Sequence, residues 1–121
     1  MDVLIVHSTV VSSRSKDIVG LLTAWDKAVQ ALRARQQEAT QAATRFLGMS
    51  EAALLASLDG VELPDLASNR RLFDPANQQN SVWQVYALTA AFMTQHRLLK
   101  HPPPAPTSLF DTRFVTQALA R

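Results

Sequence analysis

The sequence predicts a mainly helical protein, an α/β fragment in which a short N-terminal β-strand precedes about five helices. The strand is placed at residues 2–6, where an unbroken apolar run is typical of a strand buried on both faces of a sheet. The run consists of Val3, Leu4, Ile5 and Val6. A buried strand needs neighbours, and the rest of the chain offers at most one more, at residues 61–63 before Pro64. We therefore expect a second copy or a larger fold to complete it.

The helices are predicted from apolar residues that recur at helical spacing. The clearest stripe lies in residues 16–34 and consists of Ile18, Leu22, Trp25, Val29 and Leu32. We expect Trp25 to be buried at the centre of this face, because large aromatic side chains dominate core burial. Capping and turn residues bound the other helices. We place these at about 36–47, 51–58, 82–98 and 112–120.

The domain organisation follows from the length and from the prolines. The 121 residues are assigned to a single domain, 1–121, since domains most often run ~100–150 residues. Residues 65–73 are expected to form one or two helical turns. Residues 100–108 are a Pro-rich connector, which we expect to be extended because proline lacks the backbone donor that helices and sheets use.

The composition excludes several classes of function. The net charge is +2 and the basic residues are scattered, whereas a nucleic-acid-binding domain collects them on one face. The chain has no cysteine, which excludes disulfides and thiolate catalysis. No run approaches the roughly 18 apolar residues of a membrane span, and the first residues lack the pattern of a signal peptide. We expect a cytoplasmic location for the chain as written and no membrane insertion.

No constellation of residues predicts catalysis or a metal site, so we expect a protein that is not an enzyme and that uses no cofactor. His96 and His101 are five apart, which does not place two ligands on one helical face. His7 and Ser8 follow the predicted strand without the glycines of a nucleophile elbow. Three carboxylates cluster in the sequence, and two of them flank turns, so capping explains them better than acid–base chemistry. They are Asp59, Glu62 and Asp65.

Several short segments, taken in order, suggest a family. They are residues 2–6, 18–25, 46–51 (FLGMSE), 66–73 (LASNRRLF), 92–99 and 111–115. In their order and spacing they resemble the C-terminal portion of the periplasmic substrate-binding proteins of ABC importers, of the nitrate, sulfonate, taurine and pyrimidine-precursor type. The resemblance to this type II periplasmic binding protein family covers nearly the whole chain.

The resemblance implies part of a two-lobed protein whose lobes are joined by hinge strands and close on a ligand for a membrane permease. This chain would begin at the second hinge strand and lack the N-terminal lobe, which carries most ligand contacts. We therefore expect a substrate-binding-protein-like domain that is not ligand-competent alone. Its partners would be the missing lobe and an ABC permease, and its location periplasmic if the whole protein is exported. Ligand contacts are expected at His7, Ser8, Asp65 and Asn69.

A second interpretation, from a different class of protein, stays open. The chain would then be a free-standing helical protein–protein interaction domain that forms a homodimer. Self-association would run through the predicted strand, because an exposed apolar strand edge recruits another strand. The residues of that contact would be Val3, Leu4, Ile5 and Val6.

Overall fold

A computed structural model describes residues 4–77 and 81–121, and the regular structure within them is helical throughout. The helices are α1 (Ser8–Ser13), α2 (Ser15–Arg33), α3 (Gln37–Leu47), α4 (Glu51–Leu58), α5 (Leu66–Leu72), α6 (Val82–Gln95) and α7 (Arg113–Leu119). A short 3₁₀ helix, Pro106–Ser108, lies in the Pro-rich connector. Because the described residues contain no strand, the predicted α/β fragment is wrong.

The predicted N-terminal strand over 2–6 is not formed. Of the four residues assigned to strand self-association, Val3 lies outside the described part, and Leu4, Ile5 and Val6 have no regular structure. Ile5 is 88% exposed, whereas Val6 packs against the core. Residues 61–63 are also irregular, so the described residues contain no second strand with which the N-terminal segment could pair. Local β propensity alone does not hold an unpaired strand.

The chain forms α1 directly after this segment, where the sequence predicted no helix. His7 is its N-cap, and the His7 Nδ1 atom accepts a hydrogen bond from the Thr9 backbone N–H at 3.3 Å. The Ser12 hydroxyl donates to the Thr9 carbonyl at 3.0 Å. Val10 and Val11 pack against the core, and this burial offsets the low helix propensity of β-branched residues.

The core lies where α2 packs against α5 and α7. Its buried residues are Ile18, Val19, Leu66, Phe114 and Ala118. Complete burial of a large apolar side chain stabilises a fold by about 1.5–3 kcal/mol, so this small cluster holds α2, α5 and α7 together. The other part of the chain is joined more loosely: α3 packs on α2 and α4, with Thr40 and Leu54 buried.

The bounds of most predicted helices agree closely with the structure. Helices α2, α3 and α4 lie within one residue of the predicted 16–34, 36–47 and 51–58. Ser50 and Ser81 are the N-caps of α4 and α6, and their hydroxyls accept hydrogen bonds from backbone N–H groups of the first turn. The predicted helix 82–98 ends earlier, at Gln95, because the chain turns at Arg97 with φ of 54°.

The prediction that Trp25 is a core residue is wrong. Trp25 is 44% exposed, and its indole Nε1–H donates to the Pro64 carbonyl at 3.1 Å. The residues of α2 that are buried instead are Ile18, Val19 and Val29. The indole N–H is therefore anchored to the loop before α5, while the side chain stays partly exposed.

Candidate functional site

Two of the four predicted ligand residues belong to a polar cluster that joins α2 to the start of α5. We call it the α2–α5 clamp, and it consists of Trp25, Asp26, Arg33, Asp65 and Asn69. The Arg33 guanidinium pairs with the Asp65 carboxylate, with 2.6 Å between Nη1 and Oδ2, and its Nη2 donates to the Leu63 carbonyl at 2.8 Å. Asp26 Oδ1 accepts a hydrogen bond from the Leu66 backbone N–H at 2.8 Å. These contacts fix the loop before α5 against α2.

Asp65 is the N-cap of α5. Its Oδ1 accepts a hydrogen bond from the Ser68 backbone N–H at 2.8 Å. The hydrogen bonds from Ser68, followed by the one from Arg33, lower the pKa of the Asp65 carboxyl from 3.8 to about 2, because they favour the charged form. Both carboxylate oxygens are thus occupied within the chain.

Asn69 is also engaged inside the clamp. Its Nδ2 donates to the carbonyls of Pro64 and Asp65, at 3.1 and 2.9 Å. His7 and Ser8 lie elsewhere, at the start of α1. Among the described residues, no hydrogen bond or ion pair joins His7 or Ser8 to Asp65 or Asn69. The structure therefore places the predicted ligand residues in two separate regions, one of which already uses its polar groups to hold the fold.

A cavity of about 430 Å³ lies between α1, α2 and α7. Its lining combines apolar and basic side chains, and the basic ones are Lys16, Arg113 and Arg121. The Arg113 guanidinium is held by Asp111, with 2.6 Å between Nη2 and Oδ2. None of the four predicted ligand residues lines this cavity. Within residues 4–77 and 81–121 no group of three or more histidine, aspartate or glutamate side chains is arranged to hold a metal ion.

Helix α6 exposes an apolar face. Val85, Leu88 and Phe92 follow one another at spacings of three and four residues and so lie on one side of the helix. Their exposed fractions are 44%, 65% and 56%. We call these three residues the α6 face. Sequence periodicity predicts a buried side of this helix that includes Val85 and Phe92, and for these two residues the prediction is wrong. Helix α6 makes only sparse contacts with the other helices.

An aromatic cluster fixes the other side of α6 and thereby orients the α6 face outward. The Phe110 ring meets the rings of Phe73, Trp83 and Tyr86 edge to face, with centroid separations of 5.7, 5.3 and 5.9 Å. Trp83 Nε1–H donates to the Phe73 carbonyl at 2.9 Å, and the Tyr86 hydroxyl donates to the Pro104 carbonyl. This cluster was not predicted from the sequence. The sequence signal for it is weak: Phe73 precedes the loop before α6, and Phe110 follows the connector after α6.

The described surface thus has two features on which another molecule can bind. One is the cavity between α1, α2 and α7, and the other is the α6 face. The α2–α5 clamp serves the fold instead. No helix of the described chain is long and apolar enough to cross a bilayer. Comparison with protein-family models, with curated proteins and with solved structures finds no match to this chain.

Proposed function

We propose that this chain is a non-enzymatic helical domain that works by packing against other polypeptide, related to the substrate-binding component of an ABC importer. The observation that carries the proposal is the accessible surface, 9289 Å². Folded monomers of 13.3 kDa have about 6500 Å². The excess of about 2800 Å² is typical of helices that lack part of their packing surface.

The excess surface includes large apolar side chains on several elements. Besides the α6 face, Phe46 at the end of α3 is 89% exposed, and Ile5 before α1 is exposed as well. Extended apolar patches on monomers mark interaction sites. A lobe completed by further chain would bury such side chains, as the relation suggested by the order of the sequence segments requires.

The proposed role of this chain is packing rather than ligand recognition. The Asp65 carboxylate and the Asn69 amide nitrogen make hydrogen bonds inside the α2–α5 clamp. A small solute would have to compete with those hydrogen bonds, and each is costly to break without replacement. We therefore expect the chain alone to bind no solute, and a substrate-binding activity to need further polypeptide.

A chimera tests the importer relation. The chain replaces the C-terminal portion of a taurine-type binding protein, and taurine binding is measured by calorimetry. We expect the chimera to bind taurine, whereas the chain alone and the N-terminal portion alone do not. A chimera that is folded by circular dichroism, yet binds taurine no better than the N-terminal portion alone, would contradict the relation.

A second candidate function is a free-standing protein–protein interaction domain, and the exposed α6 face favours it. A photoreactive residue in place of Thr89, beside this face, should give a discrete covalent protein adduct in cells that express the chain. The matched control carries the same residue at Ala56, which is exposed on α4. The same adducts from both positions would count against a specific interaction through α6.

A further inference from the structure

We propose that the α6 face binds the α6 face of a second copy of this chain, so that two α6 helices form the centre of a symmetric homodimer. The inference rests on the second candidate function, interaction through the α6 face, and names its partner. It replaces the predicted strand-mediated contact, because the described residues of that segment form no strand.

The geometry of α6 suits pairing with itself. From Val85 to Phe92 the face extends over two helical turns, about 10 Å at 1.5 Å per residue. The neighbouring exposed residues Thr89 and Ala91 are small, which lets a second helix approach to the usual packing distance of about 8–10 Å. In a two-fold contact each copy presents the same patch, so Leu88 near the middle of the face packs close to the axis.

The absence of charged side chains from α6 argues against a charged partner and a membrane surface and leaves a second copy as an occupant that fits. Helix α6, Val82–Gln95, contains no aspartate, glutamate, lysine or arginine. A partner selected by charge complementarity has nothing to recognise there, and a helix that lies on a membrane surface carries basic residues on its polar side. Two α6 helices that face each other bring no like charges together. The net charge of +2 per chain also gives little long-range repulsion.

The area available is sufficient for a stable dimer. Interfaces of obligate homodimers bury about 2000–5000 Å² in total, which is about 1000–2500 Å² from each copy. The accessible surface of one chain is 9289 Å², which exceeds that of a folded monomer of this mass by about 2800 Å². This excess is spread over the whole chain, and a contact of about 1000 Å² per copy centred on α6 would take up part of it.

The first experiment measures the solution mass by light scattering after size exclusion. We compare the unmodified chain with Leu88→Lys on the α6 face and with the matched control Phe46→Lys on α3. Lysine is a good helix former, and circular dichroism checks that both variants keep their helix content. We expect dimers for the unmodified chain and for Phe46→Lys, and a folded monomer for Leu88→Lys. A dimer that only Phe46→Lys disrupts would overturn the proposal.

The second experiment locates the contact. The chain has no cysteine, so Thr89→Cys and Ala56→Cys each introduce a unique site for a nitroxide label. We expect the distance between the two copies, measured by pulsed electron paramagnetic resonance, to be shorter for labels at position 89 than at position 56. A longer distance at position 89 would show that the dimer forms through another face.

If the unmodified chain is a monomer, the homodimer proposal is wrong. Thiol labelling then shows whether the proposed interaction-domain function is wrong as well. If Thr89→Cys reacts with a soluble maleimide as fast as Ala56→Cys, the α6 face is open and remains available to another protein. If Thr89→Cys is protected in the monomer, the chain covers its own α6 face, and both the homodimer and the interaction-domain function are wrong.

Discussion

Asp65 uses both oxygens of its carboxylate where the loop before α5 meets α2. One oxygen caps α5 at the Ser68 N–H and the other pairs with Arg33. From the sequence, capping explains the group around Asp65 better than acid–base chemistry, and a ligand contact at Asp65 was expected only from the family resemblance. The decisive partner, Arg33, is distant in sequence, so its contact with Asp65 depends on the packing of α2 against α5. No local pattern contains that information.

The hydrogen bonds of Asp65 in the α2–α5 clamp predict that the stability of the folded chain depends on pH. The pKa of its carboxyl is about 2 in the folded chain, below the ordinary value of 3.8. The charged carboxylate therefore stabilises the folded chain above pH ~4, and this contribution is lost as the pH falls from about 4 to about 2. Thermal unfolding of the unmodified chain and of Asp65→Asn should give midpoints that differ at pH 7 and converge toward pH 2.

The control for this experiment is Asp59→Asn, which changes an exposed carboxyl at the end of α4. Its midpoint should stay near that of the unmodified chain at every pH. Equal shifts for Asp65→Asn and Asp59→Asn would assign the effect to net charge rather than to the clamp.

At the scale of elements, three helices end with the same backbone motif. Arg35, Gly48 and Arg97 each adopt a left-handed conformation after α2, α3 and α6, with φ of 51°, 66° and 54°. In each case the next residue donates its N–H to a carbonyl five residues earlier, at 3.0, 3.2 and 2.8 Å. This is the Schellman motif, in which glycine is the favoured residue. Two of the three positions therefore carry an arginine in a conformation that costs about 1–2 kcal/mol.

Substitutions at these ends should have opposite effects on the free energy of unfolding. Arg97→Gly removes the conformational cost, partly offset by the greater freedom of glycine in the unfolded chain, and we expect a gain of about 0.5–1 kcal/mol. Gly48→Ala should lose about 1 kcal/mol, through backbone strain alone, because a Cβ atom at Gly48 meets nothing within 4 Å. Urea unfolding at one fixed protein concentration measures both changes. A loss on Arg97→Gly would contradict the argument.

The aromatic cluster makes a separate prediction about α6. Phe110→Leu keeps an apolar side chain but removes three edge-to-face ring contacts, each worth about 0.5–1.5 kcal/mol. We expect a loss of about 2 kcal/mol and a weaker near-ultraviolet circular dichroism signal from Trp83. Leu109→Ala is the matched control, since Leu109 is exposed beside Phe110. An unchanged Trp83 signal in Phe110→Leu would show that the cluster does not position α6.

Elements with their own caps and periodicity were predictable from the sequence, and elements that depend on distant partners were not. Helix α4 follows from Ser50 and a run of helix formers, and α2 from its apolar stripe. The run at 3–6 has the composition of a strand, yet a strand also needs a second strand. Helix α1 was missed for the opposite reason: Val10 and Val11 disfavour a helix locally, and their packing against the core compensates.

At the scale of the whole molecule, one small apolar cluster supports a chain with a large surface. The core joins α2, α5 and α7, whereas α6 is attached mainly through the aromatic cluster. Local opening is easiest where few buried apolar contacts must break. In a chain without a partner, the backbone amides of α6 should therefore exchange faster than those of α2. A second copy on the α6 face would slow the exchange of the α6 amides.

The homodimer also makes stability depend on concentration, which a monomer cannot do. When folding is coupled to dimer formation, the folded state gains about 1.4 kcal/mol per chain pair for each tenfold rise in protein concentration. We expect the thermal midpoint of the unmodified chain and of Phe46→Lys to rise across a hundredfold concentration series. Leu88→Lys should have a lower midpoint that does not change with concentration, because it folds without a partner. A midpoint of the unmodified chain that stays constant across the series would mean that the excess apolar surface is not covered by a second copy.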